Sequence, residues 1–436
     1  MPRRAAVLLA AALVLGAAPS WAQAQKMNPM EERAWQLRDL AEQAYALNLA
    51  DDHTAAEPAL REVVQGWRAL GWGDTEATRA TVLLWAWSLV ELGRFDEAES
   101  ELAAVIAAPS AAETQVAYAW GLMAKMYSRS GRFIQAEQAA GLALTHARSA
   151  YGEVHEETAT AWHNLGTARG EIGDNSTAIE ALRHAVALRE GLFGPTAEPT
   201  LSSIYNLAAH LHARGDPAAA EPLLRRVLAS AEPGSESHLY ALHHLGFTLT
   251  ALGRPAEAQP YLRQAVDLRS AQADPHLYAV SLSALGTALD GEGRQEEAEV
   301  QHRRAVAALQ DAWRPGYDMT LSAALLALAE NQQAMGHPEA AEAAYRRSVE
   351  IARASVTPGH PRLTLRGLGL AAFLNDDRRP QEALSLLRPM GADLLGRARD
   401  QNPTDADAAV GPFRSLFRET VEAAWFTAQP LGGAAR

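Results

Sequence analysis

Leu252-Gly253-Arg254-Pro255-Ala256-Glu257-Ala258-Gln259 reads as one helix stopping and another starting. Glycine is favoured just past a helix end because it enters the left-handed region without a Cβ clash. Proline suits the first position of the next helix, where its missing N–H has no partner anyway. The same phrase stands earlier as Leu92-Gly93-Arg94-Phe95-Asp96-Glu97-Ala98-Glu99. It recurs around Gly131, Gly173, Gly215, Gly293 and Gly336, and in degraded form around Asp51 and Arg378, at intervals of 38 to 43 residues.

Two small-residue rules accompany every copy. Seven residues before the anchor stand Ala44, Ala86, Ala124, Gly166, Ala208, Gly246, Gly286, Ala329 and Ala371. Five residues after it stand Ala56, Ala98, Ala136, Ala178, Ala220, Ala258, Ala298, Ala341 and Ala383. A small side chain in each of two helices lets their axes approach, while larger apolar residues fill the space around them. Leu165, Leu207, Leu245, Leu285 and Leu328 precede the small residue of the first helix, and Leu102, Leu182, Leu224, Leu262 and Tyr345 follow the alanine of the second by four. Each unit is thus a helical hairpin that cannot bury its apolar face alone, so neighbours must stack. The expected fold is an all-α solenoid of about nine hairpins.

Composition agrees. Of 436 residues, 48% are hydrophobic but only 6% aromatic, which favours close-packed helices over a β-sandwich. The formal charge of −13 argues against a nucleic-acid partner, and the absence of cysteine excludes disulfides, thiolate metal sites and thiol catalysis.

The leucine-plus-small pair, the glycine turn and the regular alanine resemble the tetratricopeptide repeat family, in particular the longer variant of about 42 residues found in kinesin light chains. The resemblance covers about residues 35–390. The loops Val154-His155-Glu156, Asp274-Pro275-His276 and Gly359-His360-Pro361 also look like the family's approach to the first helix. The family's tyrosine in that helix is mostly absent, with Arg169, Leu211 and Leu289 near its place. The resemblance implies a right-handed superhelix whose first helices line a concave groove for peptides or protein segments. The groove positions it implies are Tyr118 and Lys125 in the third repeat, and His163 and Asn164 in the fourth. Tyr205, Asn206 and His212 follow in the fifth, and Tyr240, His243, His244 and Phe247 in the sixth. Asparagine can serve both polar groups of an extended backbone, and tyrosine adds apolar area with a polar tip. The carboxylate clamp of some relatives is not expected, because His163, Ser202 and His244 occupy its lysine and arginine positions. Unperturbed imidazoles titrate near pH ~6.5, so these histidines would make binding pH-dependent around neutrality.

Outside the repeats, Pro2-Arg3-Arg4, the apolar run Ala5–Ala18 and Ala22-Gln23-Ala24 read as a secretory signal at 1–24, cut after Ala24. The expected location is periplasmic or secreted, with no integral span left after cleavage. A lead-in at 25–34 precedes the repeats at 35–400; a flexible connection at 401–412, a capping helix at 413–428 and a tail at 429–436 follow. Phe413, Leu416, Phe417, Val421, Ala424 and Trp425 share one face of that last helix, suited to cover the apolar end of the final repeat or to dock a partner.

The search for chemistry is negative. Lys26 and Lys125 are the only lysines and neither follows a glycine-rich loop; His155-Glu156 meets Ala159 where a zinc motif needs histidine. Asp51-Asp52 and Asp376-Asp377 sit in turns, where carboxylates stay solvated. His212, His243 and His244 invite a metal site, but adjacent residues on a helix point about 100° apart, which disfavours one ion shared by His243 and His244. The expectation is a non-enzymatic scaffold without cofactor or metal, binding a protein or peptide. Self-assembly through bare repeat ends is the alternative, possible as a homo-oligomer, and a histidine-based metal enzyme ranks last.

Overall fold

The computed structural model describes residues 28–269, 274–312, 318–356, 358–401, 418–421 and 423–424. The expected signal, connection and tail lie outside the described residues, apart from Gln401. So do Phe413, Leu416, Phe417 and Trp425 of the expected capping helix. The helices run in order α1 (Pro29–Leu49), α2 (His53–Ala69), α3 (Glu76–Glu91), α4 (Phe95–Ala107), α5 (Glu113–Arg129) and α6 (Phe133–Tyr151). Then come α7 (Glu156–Glu171), α8 (Asn175–Phe193), α9 (Glu198–Ala213), α10 (Pro217–Ser230), α11 (Glu236–Ala251) and α12 (Pro255–Asp267). The series closes with α13 (Pro275–Gly291), α14 (Gln295–Asp311), α15 (Asp318–Ala334), α16 (Pro338–Ser355), α17 (Pro361–Asp376) and α18 (Pro380–Gln401). The protein is all-α, built from consecutive helical hairpins. The first helix begins earlier than the repeat boundary at residue 35 suggested, with Asn28 and Glu31 closing a reciprocal cap. The chain divides into two compact units, 1–171 and 172–436.

The turn grammar holds at all nine anchors. Gly93, Gly131, Gly173, Gly215, Gly253, Gly293 and Gly336 have φ between 73° and 92°; Asp51 and Arg378 adopt the same region at 57° and 59°. Behind the turn a backbone N–H reaches back five residues, as from Arg94 to the Leu89 carbonyl at 2.8 Å, satisfying a carbonyl the helix end would leave bare. Pro217, Pro255, Pro338 and Pro380 each open the second helix.

The two small-residue rules have a direct geometric meaning. All nine alanines of the second helices are fully buried. Opposite them, Gly246 lies against Leu262 and Gly286 against His302, with no room for a methyl group. In the first unit the core runs from Ala44 through Trp85, Leu89 and Leu102 to Leu165, with a smaller cluster of Leu37, Val63 and Trp67 at its start. In the second unit one cluster runs from Ile179 to Ile351, and another gathers Tyr345, Phe373, Leu387 and Met390. Ala423 is buried in this last cluster, and Asn375 donates to Glu419 at 3.1 Å, so the described part of the terminal segment lies against the final hairpin.

Within each unit, every helix packs on its neighbours in sequence, and first helices also meet the first helices of the next hairpin. In the first unit α1 meets α3, α3 meets α5 and α5 meets α7. In the second α9 meets α11, α11 meets α13, α13 meets α15 and α15 meets α17. Second helices make no comparable approach to one another among the described residues. The first helices therefore form the tighter, inner side of each unit.

One hairpin breaks the apolar rule. Where the others carry leucine, alanine or tyrosine, α14 carries His302, completely buried. Its Nε2 lies 3.0 Å from Oδ2 of Asp290 on α13, and Oδ1 of that carboxylate accepts from Nδ2 of Asn331 on α15 at 2.7 Å.

Candidate functional site

The expected groove residues fall on four first helices, divided between the two units. In the first unit, α5 carries Tyr118 and Lys125, and α7 carries His163 and Asn164; all four are half-buried. Lys125 is not held out for a ligand. Its ammonium pairs with Oε1 of Glu91 on α3, and Arg129 takes the other oxygen at 2.5 Å. Burial alone would raise the Glu91 pKa, but the two cations prevail and hold it below the ordinary value. Tyr118 packs against the first core.

The second unit brings the rest together on α9 and α11. The rings of Tyr205 and Tyr240 stack with centroids 4.8 Å apart and planes 6° from parallel. Tyr240 continues to His244 at 6.3 Å, His244 meets the edge of His243 at 5.0 Å, and His243 lies parallel to Phe247 at 6.3 Å. Phe247 in turn rests on His212 at 4.4 Å, whose Nδ1 is 3.3 Å from the Thr248 hydroxyl. Six rings thus form one continuous wall across two inner helices. Asn206 stands at its edge, half-exposed, with Nδ2 donating to the Ser202 carbonyl at 3.0 Å.

The wall is deeper than sequence suggested. Tyr205 and His243 are each only 7% exposed, whereas Phe247 is 40% exposed. Neighbouring first helices approach so closely that the inner ring of each pair is roofed by the next helix. Tyr205 and His243 therefore form the floor, and Phe247 is the ring presented to solvent. Burial pushes the Tyr205 phenol up to about 12 and raises that of Tyr240 further.

Burial also moves the histidines. His244 falls to about 3, His243 lies well below the usual imidazole value, and His212 and His276 are lowered for the same reason. Beside them on α9, His210 falls to about 4, desolvation again being the main cause. The pH dependence expected around neutrality is thus displaced to acid: at neutral pH these imidazoles are uncharged. No group of three or more histidine or acidic side chains among the described residues converges to hold a metal ion.

Sequence reading missed Arg269, which follows α12 and is 7% exposed. Its guanidinium carbon lies 5.5 Å from the Tyr240 ring centroid. Nη1 donates to Ser281 Oγ at 2.7 Å and to the Leu277 carbonyl at 3.4 Å, on the next first helix. Arg189, at the end of α8, repeats the arrangement with Ser203 Oγ at 2.8 Å and the Pro199 carbonyl at 2.7 Å. The signal was present: both arginines stand sixteen residues after an anchor glycine, and Ser203 and Ser281 both stand twelve before the next.

Residues 115–191, 173–232 and 237–311 match one tetratricopeptide repeat family model, and 322–355 match a second; together they span about half the chain. No curated protein matches the sequence. Among solved structures, the apo quorum sensor NprR from B. thuringiensis gives a TM-score of 0.58 at 14% identity, covering 82% of this chain and 99% of its own. A Rap protein complexed with competence and sporulation factor gives 0.52 at 14% identity over 80% and 99%. NprR in complex with its cognate peptide NprX gives 0.52 at 14% identity over 78% and 97%. At these identities the likeness establishes the fold alone. With the turn geometry, the paired small residues and the matched repeats in agreement, the chain belongs to the tetratricopeptide repeat family.

Proposed function

We propose that the protein is an exported, non-enzymatic scaffold that holds an extended peptide or protein segment on the inner face of its second unit. The observation that carries this reading is the ring wall of α9 and α11, with Phe247 exposed on the side where first helices crowd together. An exposed aromatic set in a concavity offers apolar area, and Asn206 at its rim offers amide chemistry that suits a main chain. Two structural relatives fit this reading, since NprR was solved with its cognate peptide NprX and a Rap protein with competence and sporulation factor in place. Export is inferred from the leader at 1–24. No helix among the described residues is long and apolar enough to cross a membrane.

The test is a photo-crosslinking amino acid placed at position 247 and, separately, at position 300 on α14, where Val300 is also exposed. A discrete adduct formed in intact cells from position 247 but not from 300 supports the reading. Identical adducts from both positions, or none from 247, overturn it.

A further inference from the structure

We propose that the inner face of the second unit selects a ligand bearing a carboxylate, received on the free edge of Arg269; the inference rests on the groove reading above. A guanidinium presents its donors as edges. Here Nη1 is fixed by Ser281 Oγ and the Leu277 carbonyl. Nε and Nη2, the parallel pair that grips a carboxylate in bidentate fashion, have no hydrogen-bond partner among the described residues. Arg269 is 7% exposed, so this is a buried cation whose Nε and Nη2 donors, about three of its five N–H groups, are unused.

Its surroundings supply no carboxylate in contact with it among the described residues. No carboxylate forms an ion pair with Arg269 among the described residues, and Asp274 acts on it only through space. A guanidinium without a counter-charge is costly to bury, which is why its pKa is lowered, and a ligand carboxylate would relieve that cost. The same wall holds His243, whose Nδ1 also has no partner among the described residues. With its proton on Nδ1, a neutral imidazole donates a hydrogen bond without adding charge.

The free edge is sealed from bulk water beneath Tyr240, whose ring is only half-buried. A carboxylate reaches it when that ring turns on its χ1 axis. Tyr240, stacked on the Tyr205 floor, then acts as the cover of a charged pocket, and the exposed Phe247 as the first contact along the wall. Ser281 explains why Nη1 of Arg269 is anchored; it leaves the other edge unexplained, and a ligand accounts for it.

The experiment uses the full chain without its leader and four pooled hexapeptide libraries. Three are acetylated and amidated with a fixed central Glu, Gln or Lys; the fourth has central Gln and a free C-terminal carboxylate. Retention on immobilised protein is measured by mass spectrometry. A charge-assisted pair predicts at least about tenfold greater retention of the Glu pool than of the Gln pool. An advantage of the free-acid pool instead places the carboxylate at a chain end and equally supports the proposal. Arg269→Gln should erase the preference and Arg269→Lys keep part of it, with helicity by circular dichroism confirming that both fold. If Arg269→Gln does not fold, the Glu-to-Gln ratio of the unaltered chain and of Arg269→Lys decides. Equal retention of the Glu, Gln and free-acid pools overturns the carboxylate inference while leaving the groove reading standing. Retention of no pool overturns both.

Discussion

Gly246 on α11 faces Leu262 on α12 so closely that a Cβ built on the glycine would fall 2.3 Å from the leucine Cγ. Alanine would raise helix propensity by about 1 kcal/mol, but the clash involves Cγ and both methyl carbons of one buried side chain. Overpacking costs about 1–3 kcal/mol and prevails. Gly246→Ala should therefore lower the urea midpoint, and the double variant with Leu262→Ala should lose less stability than the sum of the two single losses. Strict additivity would show that these helices do not share the contact.

Arg378 holds φ at 59° in a turn where seven other hairpins use glycine. A side chain in the left-handed region costs about 1 kcal/mol, and Arg378 is exposed. Arg378→Gly should raise the melting temperature of the second unit by a few degrees, read by circular dichroism. A lower melting temperature would mean that the arginine side chain contributes more than its backbone strain removes.

The pH response follows from the buried imidazoles. His210 at about 4 and His244 at about 3 refuse the proton that the unfolded chain accepts near pH ~6.5. As pH falls through ~6.5 the unfolded state binds more protons, so stability declines, and the decline continues until the folded values are reached. Urea midpoints between pH 7.5 and pH 4.5 should drop more steeply for the natural chain than for a His243→Asn, His244→Asn variant. Parallel curves would show that the histidines do not drive the acid sensitivity.

Phe247→Ala should leave folding stability within about 1 kcal/mol, because the ring is 40% exposed, while reducing capture by the groove. Tyr205→Ala removes a ring only 7% exposed that stacks on Tyr240, and should cost about 3 kcal/mol or more. The measurement is chemical denaturation beside peptide retention. A substitution of Tyr205 that left stability untouched would place that ring outside the packed floor.

The hairpins were legible because their rules are local: a turn residue with positive φ and two small residues at fixed offsets can be counted along a line. Which rings lie on the first helices followed from the family pattern laid over those turns, and Tyr205, Tyr240, His243, His244 and Phe247 do meet. Their depth was not, since the roof over His243 and Tyr205 is set by how closely consecutive first helices approach. Nor was the engagement of Lys125 by Glu91, a partner 34 residues away on another hairpin. Arg269 escaped notice because it stands in a loop after a second helix, outside the positions that the family pattern assigns to ligands.

The buried His302, bonded to Asp290 and through it linked to Asn331, ties three successive helices together through a histidine–carboxylate–amide chain. Modules this alike risk docking with the wrong neighbour while the chain folds, since one leucine-lined surface accepts another. A mismatched neighbour here would leave the Asp290 carboxylate without its Asn331 donor. Hairpin seven is in this sense keyed to hairpin eight, and fixes the order of assembly where apolar packing alone would leave it ambiguous.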